Sequence, residues 1–210
     1  MPRRIDYYFT LASPWAYIGH RLFLDMARRH GVSIVYRPVA LNEVFTETGG
    51  LPLAKRHPAR QAYRMVELQR WRDRRSLAFH LKPKHWPFET DHANRAVLAV
   101  AAGGGDPGPF LQSAFAAIWE QDEDLANSAT LARLLAANGH DADAIVAAAE
   151  SSDLRAKYEQ YRLGAIAAGV FGSPSYVLDG EVFWGQDRLD LLDEALGSGR
   201  PPYGPTPASR

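Results

Sequence analysis

The 210-residue sequence predicts an α/β fold in which a four-stranded mixed sheet carries an inserted all-helical subdomain. Three observations lead there. The first 40 residues read strand, helix, strand; an Asp-Gly pair between two apolar runs stands near the other end; and the long stretch between is patterned for helices.

In order along the chain, residues 4–11 alternate, with Ile5, Tyr7, Phe9 and Leu11 on one face and Asp6, Tyr8 and Thr10 on the other, the period of a strand. Ser13-Pro14 follows, an N-cap residue and then the ring that suits a first helical position. Trp15, Ile18, Leu22 and Met26 recur at helical spacing until Gly31 stops the run. Ile34, Val35 and Tyr36, ahead of Pro38, make a second short strand over 33–39, so the opening is a parallel βαβ unit. Helical patterning then covers 57–77, 91–102, a segment holding Phe110, Ala114, Ile118 and Trp119, 130–138 capped by Ser128, 142–149 and 153–168. A clear break stands at 103–108.

At the other end, Ser175–Leu178 and Glu181–Trp184 flank Asp179-Gly180, a hairpin signal. A last helix over 187–196 puts Leu189, Leu192 and Leu196 on one stripe, and Gly197 closes it. Strand, strand, helix after the βαβ opening completes a thioredoxin-like fold. Residues 1–49 and 150–196 are assigned to that frame and 50–149 to the inserted helical subdomain; 197–210, rich in Gly and Pro, is expected to be a flexible tail.

Composition narrows the function classes. A chain of this size buries about 70% of its unfolded surface and needs no covalent staples. Lys+Arg and Asp+Glu both number 24, without the basic excess of nucleic-acid binders and with a net charge of zero that favours self-association. The absence of cysteine excludes a disulfide scaffold, a CxxC redox motif and a thiolate zinc site. Met1-Pro2-Arg3-Arg4-Ile5-Asp6 puts charges where the apolar core of a signal peptide begins. No apolar run approaches the roughly 18 residues of a bilayer span, so a soluble, cytoplasmic protein is expected.

Three segments carry candidate chemistry. Ser13 reads first as an N-cap, a contribution of about 1 kcal/mol. The same geometry suits an anion, because a helix start offers unpaired N–H groups and the positive end of the dipole. A thiolate is stabilised there. With no cysteine in the chain, that thiolate would arrive on a ligand and Ser13 would donate a hydrogen bond to it. Pro174, in Phe171-Gly172-Ser173-Pro174-Ser175, reads as a turn or edge proline. In a thioredoxin-like frame, a cis-proline facing the first helix leaves the N–H and C=O of Ser173 free for a peptide-like ligand. In Trp184-Gly185-Gln186-Asp187-Arg188, Asp187 reads as the N-cap of the last helix, and the same turn can grip the charged end of an amino-acid ligand.

Taken together, Tyr8-Phe9-Thr10-Leu11-Ala12-Ser13-Pro14-Trp15-Ala16-Tyr17, Glu67-Leu68-Gln69-Arg70-Trp71, Gly169-Val170-Phe171-Gly172-Ser173-Pro174 and Phe183-Trp184-Gly185-Gln186-Asp187-Arg188-Leu189 resemble the 2-hydroxychromene-2-carboxylate isomerase family. That family is close to kappa-class glutathione transferases within the DsbA-like thioredoxin superfamily. The likeness runs in order from residue 4 to about 196.

The resemblance implies glutathione as cofactor, with Ser13 beside its sulfur and catalytic. It implies that Ser173 and Pro174 hold the peptide backbone, that Trp184, Gly185, Gln186 and Asp187 hold the γ-glutamyl end, and that the chain forms a homodimer acting on a small aromatic acid. Two departures stand out: Phe45 replaces a basic residue, and Gly49-Gly50 replaces an Asn. Lys55 and Arg60 are nearby cations that would restore the charge, though each alone reads as a surface residue. Trp86 matches an aromatic near the substrate and reads equally as core.

Other signals carry less. His80, His85 and His92 match no ligand spacing, and no metal is expected. Arg70, Arg72, Arg74 and Arg75 read as a solvated helix face. Gly103–Gly105 lacks the Lys-Ser/Thr of a phosphate loop. Beside the isomerase stand two other readings, a kappa-like glutathione transferase and a thiol-less thioredoxin-fold peptide binder.

Overall fold

The computed structural model describes residues 3–204. Strand β1 (Arg4–Phe9) lies inside a four-stranded sheet of order β2-β1-β3-β4. It runs parallel to β2 (Ser33–Pro38), with Ile5 opposite Ile34, and antiparallel to β3 (Ser175–Leu178), with Tyr7 opposite Tyr176. β4 (Glu181–Trp184) closes the hairpin, Tyr176 facing Phe183. Helix α1 (Pro14–His30) makes the crossover between β1 and β2 and ends on Gly31. This is a thioredoxin-like fold, with the mixed sheet that the alternation and the Asp-Gly turn predict.

The second face of β1 is also covered, with Tyr8 and the following Thr10 buried. A helix that periodicity did not disclose, α2 (Leu41–Thr48), packs Val44 beside Tyr8, Ala165, Val170 and Val177. The other face carries Ile5, Tyr7 and Phe9 into a core shared with α3 (Pro58–Arg74), α4 (Asp91–Ala102), α5 (Pro107–Trp119) and α6 (Ser128–Ala137). Their core residues include Leu68, Val97, Phe115, Trp119 and Leu135. The helices between β2 and β3 thus add their apolar faces to the sheet's own core. α7 (Ala142–Ala149) and α8 (Ser152–Ala167) complete the run.

Three local expectations are corrected. Asn127, not Ser128, caps α6, because its side-chain carbonyl accepts from the Ala129 N–H at 2.9 Å and the helix starts at Ser128, two residues earlier than expected. Asp187 caps nothing: Gln186–Arg188 form a 3₁₀ turn, and its carboxylate lies 2.6 Å from Arg188 instead. Helix α9 (Leu189–Ser198) runs past Gly197. Beyond it, Arg200 pairs with Glu181 at 2.7 Å and the Tyr203 N–H donates to the same carboxylate, which lays the chain against β4. Residues 205–210 of the expected flexible tail lie outside the described residues. No helix among the described residues is long and apolar enough to cross a membrane, and no metal-binding group of His, Asp and Glu occurs among them.

Candidate active site

Ser13 stands where the sequence places it, at the start of α1, and its hydroxyl works in two directions. It accepts from the Ala16 N–H at 3.2 Å, the N-cap bond, and donates to the Ser173 carbonyl at 3.0 Å. The Trp15 N–H, at the positive end of the helix dipole, has no partner among the described residues. Ser173 precedes Pro174 through a cis peptide bond. Its side chain accepts from the Thr10 N–H at 3.1 Å, while its own N–H has no partner among the described residues. Both serines are buried, Ser13 only 4% exposed.

The loop that presents Ser13 is tied down by the helices between β2 and β3. Trp119 Nε1 donates to the Leu11 carbonyl at 3.3 Å, and Trp86 Nε1 to the Ala12 carbonyl at 2.9 Å. Asn94, fully buried on α4, accepts from the Leu11 N–H at 3.2 Å and donates to Thr10 Oγ1 and to the Tyr158 hydroxyl. Trp86 is partly buried against the core, and its N–H is a tether next to Ser13.

The third segment closes the other side. The Gly185 N–H donates to the Pro174 carbonyl at 2.9 Å, which locks the turn after β4 onto the proline loop. Gly185 sits at φ 103°, a conformation that side chains oppose. The indole of Trp184 lies so close over Gly172 that a Cβ there would meet Nε1 at 2.1 Å. Between these segments and α3 runs a cleft of about 220 Å³ lined by Trp15, Ser173, Trp184, Gly185, Gln186 and Asp187, with Glu67, Trp71 and Arg188. The neighbouring Arg70 holds the Glu67 carboxyl below its ordinary range, and the other carboxylate of the cleft, Asp187, pairs with Arg188.

Lys55 and Arg60 are exposed and are not among the cleft's lining. Two other arginines of this region stand over aromatic rings. Arg75, read from sequence as part of a solvated face, stacks over Trp71 at 5.3 Å and reaches Gln186 Oε1 at 3.4 Å, with its Nε buried and unpartnered. Arg64 stands over Trp86 at 5.2 Å. Neither was singled out from sequence. The signal available was only that both share α3 or its end with Glu67 and Trp71.

Comparison with known proteins agrees with this frame. The model of the DSBA-like thioredoxin domain matches residues 4–197. A 2-hydroxychromene-2-carboxylate isomerase of Sphingobium xenophagum is 31% identical over 198 residues, which cover 93% of this chain and 99% of that protein. Glutathione S-transferase kappa 1 of Caenorhabditis elegans is 40% identical over 73 residues, 33% of this chain and 32% of its own. A solved 2-hydroxychromene-2-carboxylate isomerase superposes with a TM-score of 0.78 at 23% identity, covering 93% of this chain and 95% of that one.

Proposed function

The chain belongs to the DSBA-like thioredoxin domain family and, within it, to the 2-hydroxychromene-2-carboxylate isomerases, and from that premise we propose that it is a glutathione-dependent cis–trans isomerase of an aromatic ring-cleavage product such as 2-hydroxychromene-2-carboxylate. The observation that carries the reading is the hydroxyl of Ser13 at a helix start, 3.0 Å from the Ser173 carbonyl, beside a cleft in a chain without cysteine.

The residues present suit glutathione. The unpartnered Ser173 N–H, with its carbonyl, forms a peptide-pairing edge. Glu67 and Asp187 offer carboxylates to an ammonium group, and Arg75 a cation to a carboxylate. When bound, glutathione supplies a sulfur nucleophile that adds reversibly to a conjugated carbon and so lets the adjacent bond rotate. The protein's part is to keep that sulfur ionised and placed. The Trp15 N–H and the dipole of α1 favour negative charge at the helix start, and the Ser13 O–H adds one charge-assisted hydrogen bond, about 1.5–3 kcal/mol. In the structure that O–H is given to the Ser173 carbonyl, so a ligand N–H that takes over this acceptor frees Ser13 to turn outward.

The test is the isomerisation of 2-hydroxychromene-2-carboxylate to trans-o-hydroxybenzylidenepyruvate by purified protein. Turnover that requires glutathione and leaves its concentration unchanged is the expected result; an equal rate without glutathione defeats the reading. The stretch shared with the kappa transferase favours a second reading, conjugation of electrophiles. A thioether product that accumulates as glutathione is consumed would select it. The same proposal takes the molecule to be a cytoplasmic homodimer, which light scattering of the purified chain checks for assembly.

A further inference from the structure

Gln186 is the most deeply buried polar side chain on the cleft wall, only 2% exposed. Its stem is seated in a notch on α1. A Cβ added at Gly19 would meet the Gln186 Cβ at 2.6 Å and the Tyr176 hydroxyl at 3.1 Å. Its Oε1 accepts from Nη2 of Arg75, just past the end of α3, at 3.4 Å. Its Nε2 has no hydrogen-bond partner among the described residues and is not closed off in the core. The amide N–H bonds therefore open into the cleft that Gln186 lines.

Donor and acceptor chemistry decides which way that amide lies. A guanidinium only donates, whereas an amide carries an acceptor at one end and two donors at the other. Arg75 thus holds the oxygen and leaves the two N–H donors to the cleft. Arg75 is itself fixed, its face over Trp71 at 5.3 Å, which leaves the N–H edge for Gln186. The ion pairs of α3 belong to Arg70 and Arg72, so no carboxylate of that helix competes for this edge. Arg75 is absent from the cleft's lining, and its charge reaches a bound group through Gln186. Without it, the terminal torsion of Gln186 has two nearly equivalent senses, one of which turns the oxygen to the ligand.

We propose that Arg75 is a positioning residue of the cleft, which locks the Gln186 amide with its N–H donors toward the ligand. The turn after β4 then favours a hydrogen-bond acceptor, a carboxylate or carbonyl, over an ammonium group. This deepens the glutathione reading of the same cleft and rests on it for the identity of the ligand. The sense of the amide does not depend on that identity.

Two measurements on the full chain test it: calorimetric titration with glutathione, and ¹⁵N relaxation of the Gln186 side-chain amide, whose signal is identified by its loss in Gln186→Glu. In wild type the amide should be rigid. Arg75→Met keeps an apolar stem over Trp71 and drops the donors, so the amide should become mobile and glutathione affinity should fall by about fivefold or more. Arg75→Lys keeps a point charge without the fork and should lie between; it also serves if the methionine variant fails to fold. Gln186→Glu can still pair with Arg75 but turns an oxygen to the cleft, so affinity should fall by about tenfold or more. A Gln186 amide that stays rigid without Arg75, or glutathione binding that loss of the guanidinium leaves unchanged, overturns the proposal. If wild type binds no glutathione while Arg75→Met sets the amide free, the cofactor assignment falls and the positioning role stands.

Discussion

At the scale of single residues, Ser13 performs a structural and a chemical task with one oxygen. As an acceptor it caps α1 through the Ala16 N–H; as a donor it holds the Ser173 carbonyl. Ser13→Ala removes both, so two losses are expected at once. Glutathione-dependent turnover should fall by about tenfold or more, the rate equivalent of one hydrogen bond to a charge, and stability should fall by about 1 kcal/mol for the lost cap. Ser13→Thr keeps an N-cap hydroxyl and should recover most of the stability. Steady-state rates beside denaturant melts separate the two effects. If Ser13→Ala turned over at the wild-type rate while losing only stability, Ser13 would be a cap and nothing more.

At the scale of elements, the helices between β2 and β3 act as a clamp on the loop before α1. Asn94 from α4, Trp119 from α5 and Trp86 from the segment between α3 and α4 each bond the backbone of residues 11–12. Asn94→Leu preserves volume but leaves the Leu11 N–H buried and unpartnered, a cost of about 1–3 kcal/mol. Urea unfolding measures it, and an unchanged midpoint would refute the clamp. None of this was legible in the sequence, for a definite reason. Asn94 sits in the alanine-rich run Asp91–Ala102, where periodicity marks a buried face but cannot say that one buried residue is polar and what it bonds. The β-hairpin and the caps at Ser13 and Gly31 were legible, because turn chemistry and helix ends are local. α2 was missed since its eight residues give too short a period.

At the scale of the whole molecule, pH dependence of stability follows from a histidine the site does not use. His20 on α1 is wholly buried, stacked 5.9 Å from Tyr7 and tilted against Phe115 at 5.3 Å. Burial lowers it from 6.5 to about 4. Because the folded value lies below the unfolded one, the unfolded chain binds the extra proton first as pH falls. Its contribution is therefore intact above pH 6.5 and is lost progressively between about 6.5 and 4, a total of about 3 kcal/mol. Carboxylates held low by side-chain hydrogen bonds, Asp193 with His30 and Glu181 with Arg200, push the same way at still lower pH. His20→Phe keeps an aromatic ring in the same stack and removes the proton site. Denaturant unfolding of both proteins at pH 7 and pH 4.5 isolates the histidine, since the carboxylates are common to each. Wild type should lose more stability than the variant over that interval, by about 2–3 kcal/mol. Equal losses would mean that His20 gains a proton in the folded core as readily as in the unfolded chain, which a ring enclosed by Tyr7 and Phe115 does not permit.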